Sequence, residues 1–323
     1  MRCLVTGVAG FIGSSLAESL LKQGHEVVGV DCFVPYYPRE IKEWNLDRVR
    51  AFERFSFYEG EVGQLFDESS GLREKLLEGV DIVFHQAAQA GVRASWGKYF
   101  ETYCTCNVLA TQKLLEACKG RSGVRFVYAS SSSVYGETQK FPMEEDDLPC
   151  PVSPYGVTKL AAEHLVRLYA FNYGLHTVSL RYFTVYGPRQ RPDMAFHRLI
   201  KAVLTGKTFT LFGTGEQTRD FTYVDDIVEA NYLAASKGRL GGVYNIGGGS
   251  RISMNQVVEI VEKITGKPAH IQRTAREKGD VTHTGADVTR ARADLAFCPK
   301  VQIEDGLRAE VEYIDKVILA RGL

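Results

Sequence analysis

Two side chains that can move a proton, Tyr155 and Lys159, lie four residues apart in a stretch whose apolar spacing predicts a helix. Residues at this spacing share one helix face. Tyrosine has a pKa of about 10 and is a poor base at neutral pH, but a neighbouring ammonium group favours the phenolate and lowers that pKa. We therefore predict that Tyr155 is a general base activated by Lys159, although a surface pair on a helix would show the same spacing.

Four serines, Ser130 to Ser133, stand at the end of a predicted strand, 22 to 25 residues before the tyrosine. In a doubly wound α/β sheet, strand ends face the ligand crevice. A serine hydroxyl at this place can hydrogen-bond the oxygen whose proton Tyr155 removes. A turn is the alternative interpretation of a run of serines, and the position at a strand end argues against it.

A glycine-rich turn, with Gly7, Gly10 and Gly13, follows the first predicted strand and precedes a predicted helix. Glycines there let a pyrophosphate approach the amino terminus of the helix. The first two glycines are one residue further apart than in the common dinucleotide motif, but Asp31 ends the second predicted strand 18 residues after Gly13. Because a carboxylate at that place accepts hydrogen bonds from ribose hydroxyls and repels a 2′-phosphate, the pattern predicts NAD.

The elements that must position these residues alternate between apolar strand-like runs and helical patterns. This alternation is typical of a parallel sheet covered by helices on both faces. The predicted fold class is α/β, a doubly wound parallel (Rossmann) sheet with a second, smaller α/β domain. The predicted strands span residues 2–6, 25–31, 55–59, 81–85, 124–130 and 176–182, and the predicted helices span 11–23, 98–119 and 154–173.

After residue 182 the pattern changes. Residues 187–193 are rich in Pro, Gly and Arg, which is typical of a loop, and a helix (195–205), a strand (208–212) and a last core strand (243–246) follow. We predict one domain of residues 1–182 with about 222–247, and a smaller one of about 183–221 with 248–323.

Composition excludes several classes of protein. Lys plus Arg and Asp plus Glu are each 39, so the formal net charge of zero excludes nucleic-acid binding through bulk positive charge. With 45% apolar and 24% charged residues, disorder is excluded as the main state. Residues 3–17, the longest uncharged stretch, fit neither a membrane span nor a signal peptide, so we expect a cytoplasmic protein. The seven cysteines are irregularly spaced, and no disulfide framework or metal site is predicted.

Together, the glycine turn, Asp31, Ser131 and the Tyr155–Lys159 pair resemble the extended short-chain dehydrogenase/reductase superfamily over essentially the whole chain. Within it, the sequence is similar to the NAD-dependent epimerases and dehydratases of nucleotide sugars. Three stretches are similar to UDP-glucuronic acid 4-epimerases, namely residues 87–93 (AAQAGVR), 131–136 (SSSVYG) and 181–195 (RYFTVYGPRQRPDMA).

The resemblance implies a redox-neutral reaction. Tyr155 takes the proton from the sugar 4-hydroxyl while C4 passes hydride to NAD, Ser131 hydrogen-bonds that oxygen, and Lys159 holds the cofactor ribose and tunes Tyr155. The 4-ketosugar then turns and receives the hydride on its other face. Because NAD is regenerated in each cycle, we expect it to stay tightly bound.

The resemblance also assigns contacts to further positions. It places the cofactor against Gly7, Gly10, Phe11, Ile12, Gly13, Asp31, Glu61, Val62, Ala87, Ala88, Asn107, Tyr155, Lys159 and Tyr182. It makes the smaller domain the UDP-sugar-binding domain, and it places the UDP-sugar against Arg93, Ser131, Ser132, Ser133, Thr184, Arg191, Thr210, Arg219 and Arg276. Arg191 is expected to hold the sugar carboxylate, with Arg189 as a solvated neighbour, and His85 is expected to be packed rather than catalytic. The family pairs the helices over 98–119 and 154–173 across a two-fold axis, which implies a homodimer.

Four other functions fit parts of the pattern. A nucleotide-sugar 4,6-dehydratase needs an Asp–Glu pair directly after the catalytic Ser or Thr, where this chain has Ser132 and Ser133. A UDP-glucuronate decarboxylase usually has Glu in that segment. A UDP-glucose/galactose-type 4-epimerase would not need Arg191. A non-catalytic NAD-binding sensor would have no reason to keep the serine, tyrosine and lysine together.

Overall fold

Strands and helices alternate along the chain in a computed structural model that describes residues 1–138, 140–275, 277 and 279–322. The strands are β1 (Arg2–Thr6), β2 (Glu26–Asp31), β3 (Phe55–Glu59), β4 (Ile82–His85), β5 (Arg125–Ser131), β6 (His176–Tyr182), β7 (Thr184–Tyr186), β8 (Thr208–Phe212), β9 (Thr218–Tyr223), β10 (Gly242–Ile246), β11 (Ser250–Ser253) and β12 (His270–Thr274). The α-helices are α1 (Phe11–Lys22), α2 (Arg39–Arg50), α3 (Val62–Leu65), α4 (Arg73–Leu77), α5 (Phe100–Tyr103), α6 (Ala110–Cys118), α7 (Pro154–Tyr173), α8 (Ala195–Thr205), α9 (Val224–Lys237), α10 (Met254–Thr265), α11 (Thr289–Leu295) and α12 (Ile303–Tyr313).

Within the described residues, seven strands form one parallel sheet in the order β10-β6-β5-β4-β1-β2-β3. The chain first runs outward from β1 to β3 and then outward from β4 to β6 on the other side. The order therefore reverses between β1 and β4, and in open α/β sheets ligands bind at the carboxyl ends of the strands at such a point. The predicted Rossmann sheet is confirmed.

Both faces of this sheet are buried, as the apolar strands predict. In β1, Cys3 and Val5 pack into one core and Leu4 packs into the other, because successive side chains point to opposite faces. Residues of α1 and α9 belong to the first core, and residues of α6 and α7 belong to the second.

Two small sheets lie outside the main one. In the described residues they have the orders β11-β9-β7 and β12-β8, and both are built from residues after 183. Strand β10 returns to the main sheet beside β6. This division follows the two segments of the predicted smaller domain, whose residue boundaries stay a prediction.

The helical stretch predicted over residues 98–119 is interrupted. Two 3₁₀ turns precede α5, and a π-helical segment, Cys104–Leu109, joins α5 to α6. The helix α2 is not predicted from the sequence, and its buried side chains include Lys42 and Asn45. None of the helices in the described part of the chain has both the length and the apolar character needed to cross a membrane.

Candidate active site

A cleft of about 580 Å³ opens where β1, β4, β5 and β6 end. Its walls combine the glycine turn, the ends of β5 and β6, the first turns of α7, and the loop after β7. Predicted site residues among its lining are Gly7, Gly10, Phe11, Ile12, Gly13, Asp31, Glu61, Val62, Ala87, Ala88, Ser131, Ser132, Ser133, Tyr155, Lys159, Tyr182, Thr184 and Arg191.

The glycine turn brings the backbone of β1 close to the start of α1. Gly7 has a φ of 72°, and a Cβ there would lie 2.8 Å from Ala87 Cα. A Cβ on Gly13 would lie 2.1 Å from the Gly7 carbonyl oxygen. Gly10 directly precedes α1, so the first N–H groups of that helix meet the cleft, where an anion such as a diphosphate is favoured.

Asp31 is fixed at the end of β2 by the backbone. Its Oδ2 accepts a hydrogen bond from Ala9 N at 3.0 Å, and its Oδ1 accepts one from Phe33 N at 2.8 Å. Burial raises the pKa of Asp31, and these two bonds and the Lys42 charge act in the opposite direction. Each carboxylate oxygen keeps a further lone pair for a ribose hydroxyl, so the turn and Asp31 fit a bound NAD.

Local sequence sets where α7 begins and ends. The Ser153 hydroxyl accepts a hydrogen bond from Gly156 N at 3.1 Å, Pro154 occupies the first helical position, and Gly174 ends the helix with a φ of 68°. This start places Tyr155 and Lys159 on the first turns, both in the cleft.

Ser131 and Tyr155 meet across the cleft. Burial raises the pKa of Tyr155, while the neighbouring Ser131 hydroxyl and then the Arg191 charge act in the opposite direction. The Ser131 Oγ also accepts a hydrogen bond from Ser133 N at 3.2 Å, which holds the serine turn in place.

Lys159 is 2% exposed, and its Nζ lies 4.5 Å from the centre of the Tyr128 ring. Burial lowers the pKa of Lys159 to about 7, and the Glu163 carboxylate acts in the opposite direction. His85 is fully buried, with its ring nitrogens 2.7 Å from Thr6 Oγ1 and 2.9 Å from Thr111 Oγ1. The predicted packed role of His85 agrees with these contacts.

The loop after β7 brings Arg191 to the cleft. The guanidinium binds Asp193 through two hydrogen bonds of 2.9 Å each, from Nε to Oδ1 and from Nη2 to Oδ2. It also lies 5.7 Å from the centre of the Tyr36 ring. The predicted carboxylate-binding arginine thus already holds a carboxylate of its own chain.

Arg189, expected to be solvated, is 6% exposed, and that expectation is wrong. Its guanidinium donates to Ser14 Oγ at 3.2 Å and pairs with the Glu18 carboxylate, both on α1. Gln190 donates to the Val185 carbonyl at 3.1 Å, and Gly187 N donates to Glu310 Oε2 at 2.8 Å. These contacts fasten the segment of the loop that directly precedes Arg191.

Several predicted contact residues do not line the cleft among the described residues. Asn107 is buried and exchanges hydrogen bonds of 2.7 and 3.0 Å with the backbone of Gln89, so the geometry does not support a direct cofactor contact. Arg93 pairs with Asp280 at 2.7 Å.

The remaining predicted substrate residues lie in the smaller sheets or outside the described residues. Arg219 donates to the carbonyls of Thr218, Val281 and Thr282. Thr210 lies in β8. Arg276 is outside the described residues. The substrate roles of these residues stay predictions.

The sequence patterns do not predict a further set of contacts beside the cleft. The Tyr182 hydroxyl donates to Gln86 Oε1 at 3.1 Å and accepts from Asn231 Nδ2 at 2.7 Å, while Gln86 Nε2 donates to Asn231 Oδ1 at 2.9 Å. This closed set of bonds fixes the Tyr182 ring. Gln86 and Asn231 are 145 residues apart, so neither hydrophobic periodicity nor a local motif could predict that they are in contact.

Comparisons with known proteins agree on one family. Residues 3–247 match the model of the NAD dependent epimerase/dehydratase family. The chain is 46% identical to the uncharacterized UDP-glucose epimerase YtcB of Bacillus subtilis (strain 168), over 98% of this chain and 99% of that protein. It is 41% identical to the UDP-glucuronate 4-epimerase of Thermodesulfobacterium geofontis (strain OPF15), over 96% of this chain and 95% of that one.

A solved structure is similarly close. The UDP-glucuronic acid 4-epimerase from Bacillus cereus, in complex with UDP-glucuronic acid and NAD, superposes with a TM-score of 0.93 at 46% identity, covering 98% of this chain and 100% of that one.

Proposed function

This chain belongs to the NAD dependent epimerase/dehydratase family, and from that premise we propose that it interconverts UDP-glucuronic acid and UDP-galacturonic acid by inverting C4 of the sugar. The observation that carries the proposal is the presence of Arg191 in the same cleft as Ser131, Tyr155 and Lys159. The last three form a proton-transfer set, and an arginine suits a substrate that bears a carboxylate.

NAD supplies the hydride acceptor and donor for C4 when it is bound. The glycine turn and the start of α1 bind its diphosphate, and Asp31 binds a ribose. We propose that it stays bound through purification, because the overall reaction consumes no redox equivalents.

The chain's own residues handle the proton. Tyr155 removes the proton from the 4-hydroxyl and returns it after the sugar has turned, so it acts first as base and then as acid. Ser131 hydrogen-bonds the same oxygen and keeps it near Tyr155. Protonated Lys159 stabilises the Tyr155 phenolate, and because the pKa of Lys159 is about 7, this support is strongest at neutral pH and below.

Arg191 has a second task in this proposal. Oxidation at C4 makes a β-keto acid, which loses CO₂ most readily when the bond from C5 to the carboxylate carbon stands perpendicular to the carbonyl plane. A guanidinium that fixes the carboxylate keeps it out of that orientation. Thr184, Ser132 and Ser133 line the same cleft and can bind the second carboxylate oxygen.

A second candidate is the 4-epimerisation of the neutral UDP-glucose and UDP-galactose. The observation that favours it is the two-bond contact of Arg191 with Asp193, which neutralises the cation that an acidic sugar needs. The dehydratase has no such support, because Ser132 and Ser133 offer no carboxylate for eliminating water.

The test is incubation of the purified protein with UDP-glucuronic acid and, separately, with UDP-glucose, followed by proton NMR of the anomeric region. We expect UDP-galacturonic acid from the first and little change in the second. Faster formation of UDP-galactose would favour the second candidate, and a 4-keto pentose as main product would indicate a decarboxylase.

We also propose that the chain forms a homodimer through the long helices. Large apolar side chains remain exposed there, with Phe100 40%, Val157 47%, Leu168 53% and Phe171 65% exposed. The three on α7 recur at helical spacing and share one face. A second copy that presents the same face would bury them around a two-fold axis.

A further inference from the structure

Glu163 is a buried carboxylate that the proposed mechanism does not use. It lies on α7, four residues after Lys159, and is 1% exposed. Its Oε2 accepts hydrogen bonds from Ser130 Oγ at 2.6 Å and from Arg181 Nε at 3.0 Å, and its Oε1 accepts one from Arg181 Nη2 at 2.6 Å. One side chain of α7 thus binds two adjacent strands of the main sheet.

The two partners stand next to cleft residues. Ser130 directly precedes Ser131 at the end of β5, and Arg181 directly precedes Tyr182 at the end of β6. Ser130 and Arg181 are also paired across the two strands. Because Glu163 binds both, it fixes the position of α7 relative to the ends of β5 and β6. It thereby also fixes Tyr155 relative to Ser131 and Tyr182.

The charge of Glu163 also acts on Lys159. The titratable groups that the structure places against Lys159 are Glu163 on the same helix, Tyr128 from β5 and the neutral His85 from β4. Burial opposes the ammonium form of Lys159, and the Glu163 carboxylate favours it.

The positive partner of Glu163 has other contacts of its own. Arg181 Nη1 donates to the Tyr135 hydroxyl at 2.8 Å and to the Glu145 carbonyl at 3.1 Å. Glu163 and Arg181 therefore form a fully enclosed ion pair with side-chain exposures of 2% and 5%.

We propose that Glu163 is a positioning residue for the active site: it holds the ends of β5 and β6 in register with α7, and it keeps Lys159 protonated so that Tyr155 can act as a base. The proposal rests on the proposed function only in taking Ser131, Tyr155 and Lys159 as the catalytic set. It does not depend on which UDP-sugar is the substrate.

The first test breaks the contact to β5 alone. Ser130→Ala removes the 2.6 Å bond and leaves the ion pair with Arg181 intact. Because small misplacements of catalytic groups are costly, we expect kcat to fall roughly tenfold while KM for the UDP-sugar changes less than about threefold. The matched control is Ser179→Ala on β6, since Ser179 is fully buried and its Oγ has no hydrogen-bond partner in the described structure.

The second test removes the charge. Glu163→Gln alone leaves the Arg181 cation buried without its partner, and such a variant can fail to fold. The double variant Glu163→Gln/Arg181→Met removes both charges at similar volume, and circular dichroism and Tm confirm its fold. Without the nearby carboxylate, the pKa of Lys159 should fall further below its usual range. Lys159 then loses its proton at lower pH, and with it the support that the ammonium form gives to the Tyr155 phenolate.

The readout for the second test needs no substrate. The titration of Lys159 itself is recorded by carbon-13 NMR of the lysine Cε resonances for the wild type and the double variant, and the Lys159→Met counterpart of each identifies its resonance. We expect the Lys159 titration to move to lower pH in the double variant, and the alkaline limb of the kcat profile to move with it.

Each outcome bears on the proposal. A kcat for Ser130→Ala equal to that of Ser179→Ala overturns the positioning part, and an unshifted Lys159 titration overturns the charge part. If the wild type fails to convert UDP-glucuronic acid, the proposed function fails, while the titration still decides the role of Glu163.

Discussion

Replacing Arg191 by histidine tests the contact on which the acidic substrate depends. Asp193 occupies the Nε and Nη2 donors of Arg191, and the remaining donors of the five can bind a sugar carboxylate. A charge-assisted hydrogen bond contributes about 1.5–3 kcal/mol. Because Asp193 already neutralises the guanidinium and repels a second carboxylate, we expect the lower end. Arg191→His should therefore weaken UDP-glucuronic acid binding by about 1.5 kcal/mol, roughly tenfold in Kd.

The assay has two readouts on one sample. Calorimetry gives the Kd for UDP-glucuronic acid and for UDP-glucose, and proton NMR gives the ratio of 4-keto pentose to epimer. The variant should lose affinity for the acid and form more pentose, while its affinity for UDP-glucose changes less than about threefold, since the neutral sugar makes no charge-assisted bond to Arg191.

The structure supports a clean interpretation of this variant. The loop stays fastened through Arg189 and Gln190, and Asp193, whose side chain is 35% exposed, can be solvated once its partner is gone. Arg198→His is a matched control, because Arg198 lies on α8 and its guanidinium faces Phe209 and Phe212 rather than the cleft. Normal epimerisation of UDP-glucuronic acid by Arg191→His, with wild-type Kd and no pentose, would refute the reasoning.

Four further predictions concern the base, the cofactor, the pH dependence of stability and the oligomer. Tyr155→Phe keeps the ring, so Tm should hold while kcat falls at least about 100-fold, and near-normal kinetics would place the base elsewhere. Denaturing the freshly purified protein should release NAD, and Asp31→Ala should be purified without it; recovery of NADP instead would contradict the role of Asp31. Burial lowers the pKa of His85 from 6.5 to about 3, so the unfolded chain binds a proton there that the folded protein does not. The free energy of unfolding, measured by urea titration, should therefore decrease as pH falls from 6.5 toward 3. His85→Gln should reduce this dependence on pH, and an unchanged dependence would contradict the assignment to His85. Light scattering should show a dimer at micromolar concentration and a monomer for Leu168→Glu/Phe171→Glu, whereas a monomeric wild type would contradict the proposed dimer.

The catalytic helix shows what could be predicted from the sequence. Predicted and observed bounds of α7 agree at both ends, Pro154 and Tyr173. Strong local signals set them, since Ser153 caps the first turn and Gly174 takes up the left-handed conformation after the last. Tyr155 and Lys159 belong to the same local pattern, so their shared face was predictable as well.

Contacts that join distant segments were not predictable in this way. Arg189 looks like a solvated loop residue because its partner, Glu18, lies 171 positions earlier in the chain. Glu163 and Arg181 are ordinary charged residues of a helix and a strand until the fold buries them together. The charged helix α2 has no clear apolar face, since Lys42 is among its buried residues.

The fastening of the loop after β7 limits how this enzyme can be redesigned. Arg189 ties that loop to Glu18 on α1, the helix of the dinucleotide turn, and Glu310 on α12 holds the Gly187 amide. A graft of residues 187–194 into a relative without both acids would bury an arginine and an amide with nothing to accept them. The transferable unit is therefore the loop together with Glu18 and Glu310, and libraries that vary substrate preference should mutate all three segments jointly.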